Sequence, residues 1–134
     1  MTIKYRPDPG LRDPGLRFWI RGGCIAAALL MAVAVLCGAH EIAKVNHVPH
    51  AIHKVEHFVY YGIMALLLAH GAGRRFVWAA FAAVLLVGVL DEWHQFYVPG
   101  RNSSAYDWLT DVVGAFVAVY VYRRWMASKG EGDG

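Results

Sequence analysis

The chain has 134 residues, of which 57% are hydrophobic and 17% charged, against roughly 45–50% and 25% in ordinary soluble domains. That balance excludes a soluble globular domain, and the length leaves room for one membrane domain. The net charge of +3 does not call for a nucleic-acid partner. The Lys and Arg flank apolar runs and form no continuous phosphate-binding face, so the expected partner is the lipid bilayer.

Residues 1–17 are rich in Pro, Gly and Arg and repeat Asp8-Pro9-Gly10-Leu11-Arg12 as Asp13-Pro14-Gly15-Leu16-Arg17. Pro and Gly at this density do not sustain a helix, which predicts a flexible basic tail. Its charge suits an anionic membrane surface. Gly22 to Ala39 then runs without a charge, behind Arg17 and Arg21. The run is long enough for a first transmembrane helix. Cys37-Gly38-Ala39 offers the small residues a signal peptidase reads, but the stretch exceeds the roughly 7–15 apolar residues of a signal peptide, so an uncleaved anchor is preferred. Cys24 and Cys37 share this run and, as helix residues, stand about 20 Å apart. That is too far for a disulfide.

His40 to Lys54 is polar and carries Pro49 as a breaker. Three further apolar runs follow: Val55 to Ala69, Phe76 to Leu90, and Trp108 to Tyr122. Each measures roughly 22 Å as a helix, against a hydrocarbon core of ~30 Å. To span, they must draw polar neighbours into the bilayer. Those neighbours are Glu56 and His57, Asp91 and Glu92, and Asp107 and Asp111, all at the same end of the expected bundle.

The expected architecture is all-α: a polytopic membrane protein with four transmembrane helices in a small bundle over residues 18–125. Residues 126–134 form a second disordered tail in this reading. Ten of the thirteen Lys and Arg lie in the N-terminal segment, the Arg74-Arg75 turn and the C-terminal end, while Lys44, Lys54 and Arg101 occupy the other two loops. The bias places both termini in the cytoplasm and the polar ends outside.

Helix residues four apart share a face. On that rule His53, His57 and Tyr61 form one stripe, Asp91, His94 and Gln95 a second, and Asp107 and Asp111 a third that continues into Gly114 and Ala118. Gly62, Gly88 and Gly114 supply one small residue to each of the last three helices, where backbones can approach closely. Val98-Pro99-Gly100-Arg101 reads as a type II turn. Ser103 or Ser104 then caps the fourth helix, Ser104 and Asp107 having the spacing of a capping box. Capping accounts for Asp107 but not for Asp111, a full turn deeper. Arg101 or His94 is its nearest expected partner along the chain.

Lys54-x-x-His57-Phe58-x-x-Tyr61, Asp91-Glu92-x-His94-Gln95-x-x-x-Pro99-Gly100-Arg101, and Asp107 with Asp111 and Gly114-Ala115 together resemble the VanZ-like family of small membrane proteins. The resemblance runs from about Lys54 to Ala115 and implies several transmembrane helices in the bacterial cytoplasmic membrane. It also implies a link to low-level teicoplanin resistance, the property of the founding member. Most of the family has no assigned activity. His53 stands where many members have an acidic residue, and Asp111 where Asn is common.

Two classes of function fit these residues. The first is a non-enzymatic envelope protein that binds a lipid-linked wall precursor or glycolipid, or alters access to it. Its ligand-binding candidates are Lys54, His57, Tyr61, Asp91, Glu92, His94, Gln95, Arg101, Asp107 and Asp111, with Trp93, Tyr97 and Trp108 at interface depth. The second is a membrane hydrolase or transferase in which His57, Asp91 and His94 act as acid and base, or hold a divalent metal. Zinc-protease spacing and a serine nucleophile motif are both missing. Proton or ion movement is a third, weaker reading.

Overall fold

The computed structural model describes residues 13–42, 50–97 and 105–130, with the backbone alone for residues 38–42, 50–53 and 130. Among them the chain is all-helical. Helix α1 spans Pro14–Ile42, α2 His50–Ala72, α3 Val77–Phe96 and α4 Ala105–Gly130, with a 3-10 turn at Arg74–Phe76. The Val98–Arg101 turn and the Ser103/Ser104 cap lie outside the described residues.

Helix α1 begins inside the second Pro-Gly repeat, in a segment whose composition predicts a flexible tail. Asp13 explains the difference. Its Oδ1 accepts a hydrogen bond from Gly15 N at 2.8 Å, and its carbonyl accepts one from Arg17 N at 3.1 Å. Asp at the N-cap followed by Pro at the first helical position is a favourable helix start, because Pro lacks the N–H that would go unpaired there. At the other end, α4 continues to Gly130 and takes in Met126 to Gly130, which the expected disordered tail includes. Met126 packs against the core and Lys129 Nζ stands 4.1 Å from the Trp125 ring centroid, so the helical face persists past Arg124.

Helix α2 stops at Gly73, whose φ of 87° is the left-handed conformation a side chain disfavours. Its N–H donates to Ala69 O at 2.9 Å and closes the last turn. Helix α3 ends at Phe96.

The interhelical contacts give an up-and-down order. Arg21 meets Gly71 and Tyr60 meets Met31, so α1 is antiparallel to α2. Tyr61 meets Asp91, so α3 is antiparallel to α2 as well. His57 meets Asp111 and His70 meets Tyr122, so α4 runs parallel to α2. The core lies among α2, α3 and α4, with Tyr61, Met64, Ala65, Ala69, Val77, Ala80, Val84, Ala115 and Val119 buried; α1 adds Ala28. Small residues set the closest approach. A Cβ on Gly114 would run into the Phe58 backbone, and one on Gly62 would stand 3.3 Å from Gly114 O.

Among the described residues two segments are long and apolar enough to cross a bilayer: Pro14–Cys37, with 24 residues, and Arg74–Phe96, with 23. At 1.5 Å per residue these are about 36 and 35 Å long. Helices α2 and α4, which carry most of the polar cluster, are not among them.

Candidate functional site

The polar cluster forms where the N-terminal halves of α2 and α4 meet the C-terminal end of α3. The close approach of Gly114 to Phe58 brings α2 and α4 near enough for side chains one turn away to meet directly. His57 donates from Nδ1 to Asp111 Oδ1 at 2.9 Å, with both residues buried. One turn along α2, the Tyr61 ring stacks on the His57 ring at 5.9 Å and 18°. The Tyr61 hydroxyl donates to Asp91 Oδ2 on α3 at 3.3 Å, and Gln95 Nε2 donates to the same oxygen at 2.7 Å. Asp91 and Gln95 are four apart on α3 and share a face, as their spacing requires.

Asp91 and Asp111 are each 1% exposed. A carboxylate so buried is costly unless hydrogen-bonded or paired, which is why His57, Tyr61 and Gln95 surround them. The second Asp111 oxygen, Oδ2, and the indole Nε1 of Trp108 are also buried, and neither has a hydrogen-bond partner among the described residues. Both residues border Gly88. A Cβ built there would stand 3.5 Å from Asp111 Oδ2, 3.2 Å from Trp108 Cδ1 and 3.5 Å from Tyr61 Cε1. Any larger residue at 88 would push into the cluster.

The stripes on α2, α3 and α4 therefore meet, but one expectation needs correction. Asp111 pairs with His57, 54 residues away in sequence, and His94 is not its partner. Arg101, the other expected partner, lies outside the described residues. His57, Asp91 and Asp111 are buried and packed into the helix interface. The groove at this end has a volume of about 300 Å³ and is lined by Glu92, Trp93, Phe96 and Tyr97.

The remaining candidates sit around this centre. Glu92 and His94 are half-buried on the last turns of α3, and Asp107 is half-buried in the first turn of α4. Lys54 is exposed, with Nζ 5.8 Å from the Tyr106 ring centroid on α4. The side chain of His53 lies outside the described residues. No group of three or more His, Cys, Asp or Glu among the described residues is gathered so as to hold a metal ion.

Two residues with interhelical roles carried no such signal in the sequence. Tyr60 donates to Met31 O at 2.6 Å and ties α1 to α2 beside the cluster. Arg21 donates from Nε to Gly71 O and from Nη2 to Ala72 O, each at 2.9 Å. An aromatic next to Tyr61 and an arginine before an apolar run have commoner readings, as lipid anchor and topology signal.

An all-helical chain with two segments long and apolar enough to cross a bilayer among its described residues, and ionisable residues buried at one end, has the features of a small helical membrane protein. Residues 21–126 match the model of the VanZ/LLP1 family, and the chain belongs to that family. No curated protein and no solved structure matches it.

Proposed function

We propose that the chain is a multi-pass protein of the bacterial cytoplasmic membrane with four spans and both termini inside. Its outward-facing polar cluster binds a lipid-linked envelope precursor or glycolipid, or modulates access to one. The observation that carries this reading is the burial of Asp91 and Asp111, each 1% exposed, at one shared end of α2, α3 and α4. Ionisable groups within membrane helices are expensive and mark functional sites by default.

The ten-to-three division of Lys and Arg supports the orientation. Asp111 Oδ2 and Trp108 Nε1 are buried without a hydrogen-bond partner among the described residues, so a headgroup hydroxyl or amide, which both accepts and donates, reaches them only where the helices part beside Gly88. A phosphate is left to Lys54 and Arg101. Behind the cluster, Met64, Ala65, Val84, Ala115 and Val119 are buried and apolar, which favours a one-sided site over a conducting path. A role in glycopeptide resistance would follow if the ligand were a wall precursor.

The second reading, a membrane hydrolase or transferase, is favoured by one observation. A carboxylate on His57 Nδ1 is the arrangement that orients an imidazole for proton transfer. Purified protein titrated with an undecaprenyl-linked wall precursor, with phosphatidylglycerol as control, separates the two. On the binding reading His57→Gln and Gln95→Ala each weaken precursor binding at least about tenfold, roughly 1.4 kcal/mol, while membrane abundance stays near wild type. Arg101→Ala behaves likewise and raises glycopeptide susceptibility in cells. On the enzyme reading His57→Gln binds normally and loses turnover. Full binding in both variants, with no turnover by the wild-type protein either, contradicts both readings.

A further inference from the structure

The opposite end of the bundle carries a groove of its own, of about 480 Å³, lined by Arg17, Phe18, Arg21, Gly22, Ile25 and Gly71 among others. Arg17, Arg21 and Ile25 recur every fourth residue and so share one face of α1. That face presents two cations and then an apolar side chain along its length. Arg21 is held in place by its bonds to Gly71 O and Ala72 O, which use two of the five N–H groups of a guanidinium. Gly22 leaves the groove open, since a Cβ there would meet nothing within 4 Å. Phe18 is 71% exposed beside it.

Among the described residues the charge around the groove is mainly positive. Arg74, Arg75, Arg123, Arg124 and Lys129 share this end of the helices. Asp13 is the one carboxylate there among the described residues, and its Oδ1 is taken by Gly15 N. The two membrane-length segments also begin at this level, at Pro14 and Arg74, so the groove lies at headgroup depth with its apolar wall running toward the hydrocarbon. We propose that it holds one anionic phospholipid, with the phosphate against Arg17 and Arg21 and an acyl chain along Phe18 and Ile25. This site requires the chain to lie in a bilayer and is independent of what the polar cluster binds.

The test uses the full chain in a non-ionic detergent, titrated with dioleoyl phosphatidylglycerol or dioleoyl phosphatidylcholine. Native mass spectrometry counts retained lipid, and thermal unfolding reports stabilisation. One phosphatidylglycerol should be retained in preference to phosphatidylcholine. Arg17→Gln should weaken it about fivefold, the effect of one basic residue at an anionic headgroup, and Arg17→Lys should restore most of the loss. Gly22→Leu should abolish the retained lipid while leaving the lipid-free melting temperature within a few degrees, because the added side chain enters open space. Arg124→Gln should change nothing. Undiminished binding in Gly22→Leu, equal losses in Arg17→Gln and Arg124→Gln, or equal competition by inorganic phosphate would each overturn the proposal. If Gly22→Leu fails to fold, the Arg17→Gln and Arg17→Lys pair decides: equal affinity in the two overturns it. Precursor binding at the other end is read with His57 and Gln95 variants, so either reading can fail alone.

Discussion

At one end of the bundle Asp91 and Asp111 are almost wholly buried and bonded to side chains on α2; at the other, Arg74, Arg75, Arg123 and Arg124 are exposed. The exposed cations contact the protein mainly through ring faces, as where the Arg123 guanidinium carbon stands 5.1 Å from the Trp78 centroid. The two ends place charge under opposite physical conditions. Exposed arginines keep their hydration and cost little. Buried carboxylates lose hydration and must be offset by designated partners. The difference indicates which charges are tied to the fold: those at the polar end are coupled to helix packing, and most at the basic end are not.

Substitutions that break this contrast should have the largest effects. Asp111→Ala removes the partner of His57 inside the α2–α4 interface and is expected to cost about 3–5 kcal/mol, read by unfolding in mild detergent. Asp111→Asn keeps an oxygen for His57 and should cost under about 1.5 kcal/mol. Equal losses in the two would mean that the hydrogen bond is not what holds the pair. Next in size is Gly114→Leu. Its side chain would collide with the Phe58 backbone, and overpacking of this kind costs about 3 kcal/mol. A stable, fully folded Gly114→Leu protein would show that α2 and α4 do not approach as described.

Much of this was legible in the sequence and some was not, for identifiable reasons. Four helices follow from four apolar runs, and the polar stripes follow from spacing by four. The identity of each partner does not follow, because His57 and Asp111 are 54 residues apart and helical periodicity reports only on one helix at a time. Spacing therefore points Asp111 to its sequence neighbours Arg101 or His94. Helix ends were missed for local reasons. Asp13 turns a Pro-Gly repeat into a helix start through one side-chain bond, and Met126 extends α4 through its packing on the core. Of the three conspicuous glycines, Gly62 and Gly114 act as spacing suggested, while Gly88 also borders the carboxylate site.

The smallest expected effect sharpens the other side of the contrast. Arg123→Gln, which removes an exposed cation above Trp78, should change stability by no more than about 1 kcal/mol. A loss as large as that of Asp111→Ala would erase the distinction between the two ends.

The most direct test of a single bonded cluster shared by the helices is a double-mutant cycle on His57 and Asp111. Unfolding in mild detergent is measured for His57→Ala, Asp111→Ala and the double variant. The direct bond at 2.9 Å predicts a double variant less destabilised than the sum of the singles, by at least about 1 kcal/mol. Additivity within about 0.3–0.5 kcal/mol, the behaviour of independent sites, would contradict it.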